Sequence, residues 1–156
     1  MTALASCGAL LVAAEGPFLR FYDAKSSRYI ASRRIFKAQA VHGISVYSES
    51  YEDVIKLVVW GGCLVRAIEV RFDPRKDLHE SELDVCLSVV ARSPDWILDL
   101  APRFSSLEDA SEIEQGICVA VTAHNALVQI TIHRQRKETE PERCVVQSRE
   151  AETYMY

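Results

Sequence analysis

The sequence predicts an all-β chain built from repeated four-stranded units. Three observations carry that prediction. The chain is cut into short runs rich in Val, Ile and aromatic residues, bounded by Gly, Pro, Asn, Ser or clusters of charge. Several runs alternate with period 2, as in "FLRFYD", "LVRAIEV" at 64–70 and "ALVQITIH", the pattern of strands with one face packed and one face wet. And one shape recurs: "LLVAAEGPFLRFYD" at 10–23, "KLVVWGGCLVRAIEV" at 56–70 and "ICVAVTAHNALVQITI" at 117–132.

Each recurrence breaks at a tight turn. The turns are Glu15-Gly16-Pro17, Gly61-Gly62 and His124-Asn125, and Gly or Asn supplies the positive φ that a short hairpin needs. Gly16 and Gly62 are 46 residues apart, and Gly62 and Asn125 are 63 apart. The longer interval holds an acidic insert of 11 residues, "SSLEDASEIEQ" at 105–115, and is 52 without it. Units of roughly 40–50 residues with four strands each are the mark of β-propeller blades.

The first unit takes strands at 2–6, 9–14, 17–23 and 27–36. The second takes 41–47, 54–60, 63–71 and 82–91, entered at Gly43. The third takes 95–101, 116–122, 125–133 and 142–149, entered after Pro94. Residues 151–156 read as a tail or a continuation cut short. Helix is scarce, at most one turn in the insert. A closed propeller uses typically four to eight blades. Three blades, spanning 2–36, 41–91 and 95–149 within 1–150, therefore read as an open, partial propeller at the N-terminal end of a longer protein.

Composition narrows the function. Hydrophobic residues make up 49% and charged residues 26%, as in soluble globular chains. The net charge of −4 gives no global attraction for nucleic acid, so RNA contact would need a local basic patch. The five cysteines are odd in number and without a CxxC, and four lie in apolar runs. They read as core thiols of a reducing, cytoplasmic compartment. No apolar run reaches the ~20 residues of a membrane helix. The opening "MTALASCGALLVAAEG" has no basic residue ahead of its apolar stretch and is not read as a secretory signal.

Catalytic and cofactor motifs are not visible. His124 and His133 lie nine apart with no Cys at ligand spacing, so no metal site is read. No GxSxG, GxGxxG or Walker loop is present, and no S-adenosylmethionine site is seen. The chain is read as a non-enzyme without a cofactor. Two basic clusters stand out, "SRRIFK" with Arg33, Arg34 and Lys37, and "HRQRK" with Arg134, Arg136 and Lys137. Phosphate binding uses such clusters, but a solvated outer strand and loop is the plainer reading, and "KETEPE" dilutes the second cluster's potential.

Four motifs in order resemble a known family. Ala14-Glu15-Gly16-Pro17, His42-Gly43, the stretch from Asp95 to Asp99, and Ala123-His124-Asn125 look like the opening of the WD-repeat accessory subunit of a tRNA ribose methyltransferase. The resemblance implies a non-catalytic subunit that binds an S-adenosylmethionine-dependent catalytic subunit. It also implies that the pair places a 2′-O-methyl group on the wobble nucleotide, position 34, of certain tRNAs. Some relatives are linked to endosomal recycling and signalling, so a general interaction scaffold is the alternative. A propeller hydrolase is a distant third.

Within that frame His42 reads as a buried, hydrogen-bonded structural residue, although Gly61-Gly62 lacks the Asp that usually completes such a set. Asp95 reads as a cap on backbone N–H groups beside a packed Trp96 indole. The alternative is an exposed Trp96 that stacks an RNA base or anchors a partner. Asp99, two positions beyond Ile97, reads as a polar residue of a central channel.

Overall fold

The computed structural model describes residues 1–51, 54–73, 83–88, 90–104, 113–135, 145–148 and 152–154. All regular structure among them is β, in fourteen strands. The first sheet is formed by β1 (Ala3–Cys7), β2 (Leu10–Glu15), β3 (Phe18–Asp23) and β4 (Tyr29–Arg34). The second contains β5 (Gly43–Tyr51), β6 (Val54–Gly61), β7 (Leu64–Arg71), β8 (Asp84–Leu87) and β9 (Ala91–Arg92). The third contains β10 (Ile97–Phe104), β11 (Ile113–Thr122), β12 (Leu127–Gln135), β13 (Val145–Ser148) and β14 (Glu152–Tyr154).

In every sheet the strands follow chain order and pair antiparallel, and none of the sheets closes on itself. Two-residue connections close the β1–β2, β2–β3 and β6–β7 hairpins. Gly8, Gly16 and Gly62 hold the first central position at φ of 57°, 57° and 58°. That sign matches the strand twist, and a side chain there would be strained. The β11–β12 hairpin uses four residues instead, Ala123 to Ala126. Asn125 N–H donates to the Thr122 carbonyl at 3.0 Å, and Asn125 then turns left-handed at φ 59°.

The fourth strand of the second sheet is not the single run expected over 82–91. It breaks at Ser88, whose buried hydroxyl accepts the Ala67 N–H at 3.0 Å while Ser88 N–H donates to the Ala67 carbonyl. The side chain takes over a ladder bond, so pairing with β7 resumes only at β9. Two further boundaries differ from the sequence reading. β11 begins at Ile113, inside the stretch read as an insert, and Glu152–Tyr154, read as a tail, pair with β12 as β14. Residues 105–112 lie outside the described set.

The sheets stack face to face. One core fills the space between the first and second sheets, with Val12, Leu19 and Phe21 against Leu57, Val59, Ile68 and Val70. The other lies between the second and third, with Val58, Trp60, Val65 and Ala67 against Ile97, Leu100, Cys118, Ala120 and Val128. The middle sheet is therefore covered on both faces. This corrects the expectation of one packed and one wet face along 64–70: Val65 and Ala67 face one core and Ile68 and Val70 the other. Cys118 is an inert filler, its thiol pushed up to about 12 by burial. Across sheets, backbones approach most closely at the first strands, where β5 lies against both β1 and β10.

The connectors repeat as well. Ile35 N–H donates to the Pro17 carbonyl and Val41 N–H to the Gly16 carbonyl, both at 2.8 Å. One unit on, Ser93 N–H donates to the Cys63 carbonyl at 2.7 Å and Ile97 N–H to the Gly62 carbonyl at 2.9 Å. Each connector thus crosses the preceding β-hairpin tip and bonds to its two turn residues before entering the next sheet. Arg66 ties the first crossing to the break between β8 and β9. Its Nε donates to the Ser88 carbonyl at 2.6 Å and an Nη to the Ile35 carbonyl at 2.7 Å, and burial lowers its pKa.

Candidate functional site

The connector crossings bring the three hairpin tips and the strand entries to one rim. On it lie Gly16, His42, Gly43, Gly62, Asp95, Trp96, His124 and Asn125. Gly43 is required by packing, because a Cβ there would stand 2.0 Å from the Trp60 indole. Trp60 in turn fills the core between the second and third sheets, at 6% exposure. Glu15 ends β2 at the surface and pairs with Arg20 at 2.5 Å, a contact exposed on both sides and worth little.

Asp95 organises the third tip. Its Oδ1 accepts the Trp96 N–H at 2.7 Å, and its Oδ2 accepts the His124 N–H at 3.0 Å and faces His124 Nδ1 at 2.8 Å. The imidazole bond first, and the two backbone donors after it, hold the Asp95 carboxyl at about 2. The Thr122 hydroxyl is fully buried close to this carboxylate, yet no described group completes a hydrogen bond to it. Ala123 N–H donates to the Trp96 carbonyl at 2.8 Å, so both backbone groups of Trp96 are tied within this knot.

Asp95 is therefore the backbone cap the sequence implies, but Trp96 is no packed indole. It is 45% exposed and lies against the His42 ring, with centroids 5.3 Å apart and planes 30° from parallel. His42 is likewise exposed, not buried. Its Nδ1 faces the Gly62 N–H at 3.5 Å, a long contact, and its own N–H donates to the Trp60 carbonyl at 2.7 Å. The imidazole thus bridges two units at the surface. Asp99 is exposed at a β-bulge in β10, where its Oδ1 accepts the Leu100 N–H at 2.8 Å.

The described members of the two basic clusters do not come together. Arg33 and Arg34 pair with Leu19 and Phe18, next to the Gly16 turn, and so lie at this rim. Arg134 pairs with Glu114 and Val146, at the end of β12 away from the Asn125 turn. Arg136 and Lys137 lie outside the described residues. Arg34 is also engaged internally. Its Nε donates to the Phe36 carbonyl at 3.1 Å, an Nη bonds the Lys37 carbonyl, and the guanidinium stands 6.0 Å from the Phe18 ring centroid. Arg33 and Lys37 are exposed.

Among the described residues no group of three or more His, Cys, Asp or Glu could hold a metal ion, and no helix is long and apolar enough to cross a membrane. No family model, curated protein or solved structure matches the chain. The His42–Trp96 pair escaped sequence reading because its members lie 54 positions apart and meet only when two sheets stack. Arg66 and Ser88 escaped because each resembles an ordinary strand residue until its carbonyl partners are known.

Proposed function

We propose that the chain is the N-terminal part of a WD-repeat β-propeller that serves as the non-catalytic subunit of a tRNA ribose methyltransferase. In this reading it binds the S-adenosylmethionine-dependent catalytic subunit and presents tRNA for 2′-O-methylation of the wobble nucleotide. One observation carries the reading. The four motifs behind the resemblance share one rim and are linked across three consecutive sheets. Gly16 bonds Val41, His42 meets both Gly62 and Trp96, and Asp95 holds His124. Stacked antiparallel meanders that approach at their first strands support the propeller architecture.

The mechanism is presentation. Preorganised contacts convert a loose encounter into a held geometry, and the chemistry belongs to the partner. The decisive experiment removes the protein carrying these sheets from its source cells and maps tRNA ribose methylation. Loss of 2′-O-methylation at the wobble position is expected, together with recovery of a methyltransferase on the tagged protein. Unchanged methylation there overturns the reading.

The inward engagement of Arg34 favours a second reading, a protein-interaction scaffold acting in recycling or signalling. Replacing Arg33, Arg34, Arg134 and Arg136 by Glu separates the two. RNA binding collapses under the first reading, whereas partner binding survives under the second.

A further inference from the structure

We infer that the Trp96–His42 pair is a stacking platform for an unpaired nucleobase, with Arg33 and Lys37 on the same rim meeting the flanking phosphates. This rests on the RNA reading above and sharpens it in two ways. The ligand is a single-stranded segment and not a stem, and one rim binds it without Arg134.

The state of the indole points to stacking. The chain has two tryptophans; Trp60 is 6% exposed in the core, whereas Trp96 is 45% exposed at the rim. Trp96 is nevertheless held in place. Its N–H is fixed to Asp95, its carbonyl to Ala123, and its ring rests on His42. A rigid, exposed aromatic ring supported from one side is the form in which proteins stack bases of single strands. Bases inside a duplex are already stacked on each other and cannot reach such a ring.

The charge around the ring fits the same ligand. The acid beside the ring, Asp95, directs its oxygens to His124 and to two backbone N–H groups. Its negative charge is thereby met by donors on its own tip. Along the rim the end of β4 carries the exposed Arg33, and the connector into β5 carries the exposed Lys37 and then His42 itself. Cations beside an aromatic platform form the usual pairing for a strand whose backbone and bases must both be held. Arg34, bound to carbonyls of that connector, shapes it and is not counted as a phosphate ligand.

The test uses the full chain and tryptophan fluorescence, since only one of the two indoles is open to a ligand. Single-stranded oligoadenylate of about eight nucleotides, within the site sizes such proteins show, should quench the exposed emission. The same sequence annealed to its complement should not. Affinities of the variants are read by anisotropy of the same oligonucleotide carrying a terminal dye, which needs no indole: Trp96→Ala should weaken binding roughly tenfold, and Trp96→Phe should retain most of it. Arg33→Glu with Lys37→Glu should lower the slope of log affinity against log salt by about two. Intact Trp60 emission shows that each variant is folded. Equal affinity of Trp96→Ala and the parent, or equal affinity for duplex and single strand, overturns the platform. If wobble methylation depends on the protein while no oligonucleotide quenches Trp96, the platform falls and the proposed function stands. If only a protein partner quenches Trp96 and no RNA binds, both fall.

Discussion

The middle sheet and its two neighbours are built from similar strands but meet different surroundings. In the second sheet Leu57 and Val59 face one core and Val58 and Trp60 the other, so β6 reads as an almost unbroken apolar run. In the third sheet Cys118 and Ala120 are buried while Val119 and Val121 stand 37% and 40% exposed on the outward face. The first sheet is equally one-sided, with Leu19 and Phe21 buried and Phe18 39% exposed. A strand between two neighbours must be apolar on both parities, whereas a strand with one neighbour needs only one. Position in the stack, more than strand identity, decides what each residue contributes.

The sharpest break in that comparison comes from the filled side. Leu57 is fully buried between the first two sheets, so Leu57→Ala leaves a cavity that neither sheet can close. A loss of about 2–5 kcal/mol in urea-unfolding stability is expected. Gly43→Ala should come next, at about 1–3 kcal/mol, because the new methyl meets the Trp60 ring. Combining it with Trp60→Leu should recover part of that loss, and a double-mutant cycle measures the coupling. Additive losses would mean that Gly43 is needed for some other reason.

Arg66 tests whether the first connector is bound into the stack. Arg66→Met keeps the aliphatic stem but leaves the Ile35 and Ser88 carbonyls without this donor. About 1–3 kcal/mol should be lost, with faster amide exchange at Ile35 and Ser88, read by NMR. A change confined to Ile35 would show that the guanidinium serves that crossing alone.

The sequence carried most of this architecture because turn chemistry is local. Gly16, Gly62 and Asn125 mark their hairpins from composition alone, and all three adopt positive φ. What the sequence hid depends on distance in the chain. The double-sided burial of β6 and β7 was masked because Arg66 and Glu69 look like the wet members of an alternating strand, yet they lie on opposite faces. The split of the fourth strand at Ser88 needed knowledge of a side chain replacing a backbone bond. For the candidate site, the motifs were legible one by one. Their meeting on one rim was not, because it requires two sheets to stack and two connectors to cross hairpin tips. The two basic clusters look alike in the sequence, and only the strand register shows that Arg33 lies beside a hairpin tip while Arg134 lies at the far end of its strand.

The mildest perturbation tests the open side. Leu98 is 57% exposed on the outward face of the third sheet, so Leu98→Ala removes little buried surface. The expected change in unfolding free energy is within about 0.5 kcal/mol, far below that of Leu57→Ala. The two variants have the same chemistry, so the contrast isolates cover and not residue type. A loss above about 1 kcal/mol for Leu98→Ala would mean that the outward face is covered in solution. Repeating the measurement across protein concentrations then separates two sources of cover. A cost that grows with concentration points to a second copy, because association adds stability by mass action. A cost independent of concentration points to the chain's own residues and places the third sheet in the same filled class as the second.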